Sequence, residues 1–444
     1  MPLFYCLIFM EIQALYQIFL RFPTITTDSR NIPPDSVYVA LKGDKFDGNT
    51  FVAQALEKGA QFAIIDNKNY LIDDRTILVE NTLETLQKLA NYHRLKLGLP
   101  IFAITGTNGK TTTKELIRSV LSKKYNVWAT QGNLNNHIGV PLTLLSMTAD
   151  TQIGVVEMGA NHPFEIEQLC KIAEPDYGLI TNIGKAHLEG FGGFQGVIKT
   201  KKELYDFLMT KEGTIFYNSD NPLLAEITEN WNRKISYGPD SGIYCKGKIL
   251  SANLYLKVEI EILHPQSNKN KFQVGTNLVG SYNFENILAA TCAGLYFDVP
   301  VKEIQNALAQ YVPTNNRSQL TNTGKNQLLL DCYNANPSST EAAILNFSKI
   351  VSQDKIIILG DMLELGDEAE SEHLKILKLL INYPETKVIL VGSFYQSMAK
   401  SFGFPAFANS LELREWICEN PITDSFLLIK GSRGIQLEKI IDVL

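Results

Sequence analysis

The sequence predicts an α/β protein of three domains. Apolar strand-like runs alternate with amphipathic helical stretches through most of its 444 residues. One stretch, residues 235–280, breaks that rhythm with short alternating runs, and one tight glycine turn joins an apolar strand directly to a helix. At this length each domain can bury its own core. A 45% hydrophobic and 20% charged composition is that of an ordinary soluble globular chain. The net charge of -6 excludes a general nucleic-acid binder, which needs a basic surface for phosphates.

The first domain is expected over residues 1–99. From Met10, MEIQALYQIFL reads as an amphipathic helix with Ile12, Leu15, Tyr16, Phe19 and Leu20 on one face. Translation is therefore expected to begin at Met10, with the first nine residues an upstream extension. That apolar opening has no basic n-region and no small-residue cleavage site, and Glu11, Gln13 and Gln17 interrupt it, which argues against a signal peptide or anchor. Strands SVYVAL and QFAIID follow around the helix of FVAQALEKGA, and a helix is expected over residues 82–97.

The second domain is expected over residues 100–312. PIFAIT is a strand, GTNGKT a turn and TTKELIRSVLSKK a helix, with further strands at IGVVEMG and YGLITNIG implying a parallel sheet. ISYG, ANLYLKVEIEIL and KFQVGTNLVG then alternate as antiparallel strands do, before helices at NFENILAATCAGLYF and VKEIQNALAQY. In the third, residues 313–444, the runs QLLLDCYN, KIIILGDM, TKVILVG and SFLLIKG alternate with TEAAILNFSKI, EHLKILKLLIN, LELREWICEN and IQLEKIIDVL. That rhythm predicts a doubly wound sheet of Rossmann type. Without a GxGxxG it gives no sign of dinucleotide binding.

GTNGKT lacks the glycine of the familiar phosphate loop, since Ile104 stands there. Gly106 and Gly109 can still make the turn, and a strand-turn-helix junction presents backbone N–H groups and a positive helix end to an anion. Lys110 would reach the β- and γ-phosphates, and the Thr111 hydroxyl would ligate Mg²⁺. A surface turn capped by threonine is the bland alternative. Glu157 and His187 end or follow two further apolar strands, where α/β folds carry functional groups. Singly, each reads as a solvated or structural residue. Six cysteines without a CxxC pair read as reduced thiols, mostly in the core.

TGTNGKTTT, NNHIGVPLTLL, VVEMGANH, TNIGKAHLEGFG, NFENILAA, DCYNANPSSTEAA, LGDMLELG and KGSRG occur in this order, and together they resemble the Mur ligases of peptidoglycan synthesis. TTDSRNIPPDSVYVALKGDKFDGNTF resembles that family's UDP-binding N-terminal domain, so the likeness covers nearly the whole chain. The resemblance implies a UDP-binding N-terminal domain, a central ATPase-type domain with the shortened loop, and a C-terminal Rossmann-like domain. The implied reaction is an ATP-dependent C–N ligation of D-alanyl-D-alanine to UDP-N-acetylmuramoyl-tripeptide, with ATP and two Mg²⁺ ions, in a cytoplasmic monomer that binds no nucleic acid and does not insert in a membrane.

By position, the resemblance places Gly106, Thr107, Asn108, Gly109, Lys110, Thr111 and Thr112 on the ATP phosphates, and Thr111, Glu157 and His187 on Mg²⁺. In KTKKELY it aligns Lys201 with a carbamylated lysine that supports the second metal ion; Lys199 and Lys202 are close, and without the resemblance all three read as a solvated helix face. Asn283 and Asn286 match residues near the adenine, beside Tyr282 where the family usually has histidine. Arg317 and Asp331 match nucleotide-contacting positions, with Asn315-Asn316 in place of the usual Pro-Gly. Asp28, Ser29 and Arg30 match the uridine motif, and Asn135, Asn136 and His137 the loop that meets the muramoyl peptide. A transport or mechanical ATPase would be expected to carry a full Walker loop with a strand-end Asp and nearby Glu, whereas Glu157 stands alone. A diamino-acid-adding ligase is the nearest rival, and its Asp-Asn-Pro-Arg motif is absent.

Overall fold

The structure, a computed structural model, describes residues 10–263, 271–314, 316–352 and 354–444. The proposed upstream extension, Cys6 and Asn315 lie outside the described residues. The described residues divide into two compact units: those within 10–103, 126–159 and 167–176 form one, and those within 104–125, 160–166 and 177–444 the other.

In the first unit four strands, Thr24–Thr26, Ser36–Val39, Ala60–Ile65 and Thr76–Leu78, form a wholly parallel sheet in chain order. Tyr38, Ala40, Val52, Ala55, Ala63 and Ile65 fill the core beneath it. The expected first helix forms over Ile12–Arg21, burying Leu15, Tyr16 and Phe19. Leu20 is a correction: it is 52% exposed. At 100° per residue it sits on the rim of the stripe that Leu15, Tyr16 and Phe19 define. The helix Thr82–Leu97 matches its expected span, begun by the Asn81 side chain accepting from Glu84 N and ended by Gly98 in the left-handed region. Its buried His93 lies between the Tyr16 hydroxyl at 3.2 Å and Met147 O at 2.9 Å. The strands Val127–Ala129 and Ile153–Glu157 of this unit also pair in parallel.

In the second unit the strands Tyr177–Ile180, Thr214–Asn218, Lys234–Gly238 and Cys245–Ser251 pair in that order, each parallel to the next. Antiparallel strands Tyr255–Ile262 and Lys271–Val279 extend that sheet. ISYG is therefore parallel rather than antiparallel, because four residues carry a period but no direction, and the strand Cys245–Ser251 has no counterpart among the expected runs. A second sheet has the strand order Gln319–Asn322, Gln327–Asp331, Phe426–Lys430, Lys355–Gly360, Lys387–Val391, Ala406–Phe407. Its first strand is antiparallel and the rest are parallel, as a doubly wound sheet requires. IQLEKIIDVL, expected as a helix, is a 3-10 run over Leu437–Val443 that packs Leu437 and Ile440 into this sheet's core.

Among the described residues, no helix is long and apolar enough to cross a membrane. Cys170, Cys245, Cys292 and Cys332 are buried free thiols, and Cys418 is a free thiol at the surface.

Candidate active site

The loop 106–109 follows the fully buried strand Ile101–Thr105 and opens the helix Lys110–Leu121. Its two glycines are required by geometry. Gly106 has φ +139°, and a Cβ there would lie 2.0 Å from Thr181 Oγ1; Gly109 has φ +77°, and a Cβ there would lie 2.7 Å from Asn286 Oδ1. The loop backbone is tied to the segment after the strand Tyr177–Ile180. Thr107 N donates to Asn182 O at 2.9 Å, Asn108 N donates to Asn182 Oδ1 at 2.9 Å, and Thr181 Oγ1 donates to Asn108 O at 2.6 Å. Lys110 folds over the turn, its Nζ donating to Gly106 O at 2.7 Å and Thr107 O at 2.9 Å. Thr111 is buried in the first turn of the helix and Thr112 is half-buried beside it. A cation, a positive helix end and a turn of backbone amides thus converge where an anion would bind.

Asn283 and Asn286 open the helix Asn283–Tyr296 and are buried. Asn286 Oδ1 accepts from Thr113 Oγ1 at 3.0 Å, and Asn286 Nδ2 donates to Asn283 Oδ1 at 2.8 Å. This pair braces the first turn of the loop helix from behind. Tyr282, the departure from the family's histidine, shares a 2.6 Å hydrogen bond with Ser318 Oγ.

Of the three lysines in KTKKELY, the structure distinguishes one. Lys199 is exposed, Lys202 pairs with Asp206 at the surface, and Lys201 is buried on the helix Phe194–Thr210 with its ammonium 5.2 Å from the Phe191 ring centre. Burial, aided by the Lys110 charge, pulls the Lys201 amine down to about 7, while Glu203 and Glu165 act in the other direction. The solvated-face reading is therefore wrong for Lys201, because it lies on the same stripe as the buried Val197, Leu204 and Leu208.

His187 has φ +50° and precedes the short helix Leu188–Phe191. Its Nδ1 faces the carboxylate of Glu364 in the LGDMLELG segment, and this contact lowers the Glu364 carboxyl. Lys185, two residues earlier, pairs with the buried Glu372 at 2.8 Å, which raises its ammonium.

Asp331 and Lys430 end neighbouring parallel strands in direct register. Lys430 Nζ donates to Asp331 Oδ2 at 2.7 Å, and Ser318 N donates to Asp331 Oδ1 at 3.2 Å. The Arg317 guanidinium stacks 3.8 Å above the Tyr333 ring, and Arg433 lies 5.8 Å from the same ring. Lys430, Tyr333 and Arg433 lie within the DCYNANPSS and KGSRG motifs, whose spacing alone does not single them out. Asn182, within TNIGKAHLEGFG, holds the loop directly through Thr107 N, Asn108 N and Asn108 O.

In the first unit, Glu157 ends its strand buried, its N–H donating to Thr130 Oγ1 at 3.0 Å and its Oε1 accepting from Asn135 Nδ2 at 2.8 Å. Asn136 Oδ1 accepts from Ile138 N and Gly139 N, starting the helix Gly139–Leu145, and His137 O accepts from Gln87 Nε2. Asp28 and Arg30 clasp one another at 2.8 and 2.9 Å, holding the Asp28 carboxyl down at about 2, and Lys58 Nζ donates to Ser29 O.

Fold and loop together define a phosphate-loop α/β protein with a second doubly wound sheet. Three family models match the chain: "Mur ligase family, catalytic domain" over residues 21–94, "Mur ligase middle domain" over 104–294 and "Mur ligase, glutamate ligase domain" over 316–417. The UDP-N-acetylmuramoyl-tripeptide--D-alanyl-D-alanine ligase of Bacillus subtilis is 32% identical, covering 94% of this chain and 92% of its own. The Escherichia coli enzyme of the same name is 31% identical over 95% and 93%. Among solved structures, MurF from Acinetobacter baumannii has a TM-score of 0.85 at 30% identity, covering 97% of each chain. MurF ligase from Thermotoga maritima in complex with ADP has a TM-score of 0.82 at 25% identity, covering 96% of this chain and 97% of that one. The chain belongs to the Mur ligase family.

Proposed function

We propose that this chain joins D-alanyl-D-alanine to UDP-N-acetylmuramoyl-tripeptide, coupled to conversion of ATP to ADP and phosphate. The observation that carries this reading is the likeness to ligases of that name along more than nine-tenths of the chain, with an intact phosphate loop at its centre. The substrate carboxylate attacks the γ-phosphorus, ADP leaves, and an acyl phosphate forms. The dipeptide amine then adds to the acyl carbon and expels phosphate. Two anions meet in the first step, so the cation of Lys110 and the helix end behind it are the groups that favour it.

Residues 1–99 are proposed as the UDP-substrate domain with Asp28, Ser29 and Arg30, residues 100–312 as the ATP domain, and residues 313–444 as the domain supplying Arg317 and Asp331. Asn135, Asn136 and His137 would meet the peptide, and Asn283 and Asn286 would serve the adenine end while bracing the loop. Thr111, Glu157, His187 and a carbamate on Lys201 would hold two Mg²⁺ ions, which neutralise phosphate charge when bound. Among the described residues no three His, Cys, Asp or Glu side chains gather at one point. Mg²⁺ takes one or two protein carboxylates and fills its shell with phosphate and water. Lys201 fits carbamate formation, in which its neutral amine bonds to CO₂ and releases a proton, because burial leaves a sizeable neutral fraction near pH 7. A cytoplasmic monomer is the expected setting.

ADP release should require UDP-N-acetylmuramoyl-tripeptide and rise on adding D-alanyl-D-alanine, with the pentapeptide product seen by mass spectrometry. Release driven equally by a diamino acid in place of the dipeptide would refute the reading.

A further inference from the structure

The tip of the phosphate loop is held from two directions. Its backbone belongs to the Thr181–Asn182 segment, which takes both the N–H and the carbonyl of Asn108. Its side chain belongs to the NANPSS segment. Asn108 Nδ2 donates to Ser338 Oγ at 2.9 Å, Ser338 Oγ donates to Asn336 Oδ1 at 3.0 Å, and Asn336 Nδ2 donates back to Asn108 Oδ1 at 2.8 Å.

These three side chains close a ring in which each gives one hydrogen bond and takes one. All the donors run in the same sense, so each bond polarises the next. Both asparagine orientations are dictated by it, since an amide must supply N–H on one side and C=O on the other. Asn336 Oδ1 also accepts from Ser339 N at 2.9 Å as the cap of the helix Pro337–Lys349. One amide therefore starts this helix and grips the loop. Gly184 closes the surroundings: its N–H donates to Thr107 Oγ1 at 2.9 Å, and a Cβ there would lie 3.1 Å from Ser338 Oγ.

We propose that Asn336 and Ser338 are positioning residues for the ligase reaction, acting through Asn108 to set the phosphate loop when the helix Pro337–Lys349 is seated against it. This rests on the reading of the loop as the triphosphate site. The loop's own backbone bonds hold its shape, and the ring adds the registration of that shape to the strand end that carries Asp331 and Tyr333, a few residues upstream of Asn336. Small misplacements of reacting groups are costly, so a contact remote from the γ-phosphate can govern rate.

The test uses the full chain with Ser338→Ala, Asn336→Asp, Asn108→Ala and the Ser338→Ala/Asn108→Ala double variant, measured by ADP release and thermal unfolding. Ser338→Ala breaks two ring bonds without adding charge. Asn336→Asp keeps the cap, because aspartate caps helices as well as asparagine does, and loses only the donor to Asn108. Each single variant should lower kcat about five- to tenfold, the range a lost net hydrogen bond or two produces, with the KM for ATP moving less. Unfolding midpoints and affinity for the UDP substrate should stay near those of the parent, and the double variant should be no worse than its poorer single. Rates within about twofold of the parent would overturn the proposal, as would multiplicative losses in the double variant or losses that track falling unfolding midpoints. Lys110→Ala is run in parallel: if it too is active, the triphosphate reading fails, and if it is inactive while the ring variants are active, the ring alone fails.

Discussion

Lys201 and Lys110 illustrate how one charge sets another. Lys201 is buried and feels the Lys110 cation, and both effects favour its neutral form. Because the folded state lowers this pKa to about 7 from an ordinary 10.5, the native protein holds fewer protons than the unfolded chain between those values, and its stability rises with pH across that window. Below pH 7 the protonated amine is buried at full cost. Lys201→Met should therefore unfold at a higher temperature than the parent in CO₂-free buffer at pH 6, and the gap should narrow toward pH 10; a gap independent of pH would count against it. For activity the order reverses. Lys201→Ala should be nearly inactive and recover in part with a short carboxylic acid, while Lys199→Ala and Lys202→Ala should stay within a few-fold of the parent in steady-state assays. Lys110→Ala removes a half-buried cation that leaves no core cavity, so its unfolding should be near parental while ligation falls by roughly a hundredfold or more.

At the scale of elements, the loop works because two glycines admit a backbone that side chains would forbid. Gly109→Ala meets both a left-handed φ and the Asn286 amide, and should cost about 1–2 kcal/mol from the backbone alone. Gly106→Ala is worse placed, with Thr181 Oγ1 inside any possible contact distance. Denaturant unfolding and ATP titration should rank the two, Gly106→Ala losing more of each; equal, small losses would mean the loop relaxes freely. These glycines were readable in the sequence because a turn between strand and helix demands them. The braces that surround the loop, Asn182 from one strand end and Asn286 from a distant helix, were not readable, because hydrogen-bond partners 74 and 173 residues apart leave no local pattern.

At the scale of the whole molecule, the second unit carries Asp331 and the phosphate loop, and the first carries Asp28 to Arg30. A change at Asp331 should act on ATP and spare the UDP substrate. The structure also selects the substitution. Asp331 pairs with Lys430, a lysine almost fully buried, so Asp331→Ala would strand that cation and cost roughly 3–5 kcal/mol of stability. Asp331→Asn keeps one oxygen to accept from Lys430, gives up the acceptor for Ser318 N, and is the milder probe. It should raise the KM for ATP several-fold with little change in UDP-substrate affinity, as measured by titration calorimetry; selective loss of UDP-substrate binding would reverse the assignment of ends.

The α/β class, the strand-turn-helix at the phosphate loop and most helices follow from local periodicity and turn chemistry, which are properties of neighbouring residues. So does the family likeness, which rests on ordered short motifs. Strand direction at ISYG, the exposure of Leu20, the burial of Lys201 among three adjacent lysines, and the ring of Asn108, Ser338 and Asn336 were decided only in three dimensions. Each of these depends on which distant surface a residue meets, and a side chain's charge state and hydrogen-bond partner are set by that surface rather than by its neighbours in the chain.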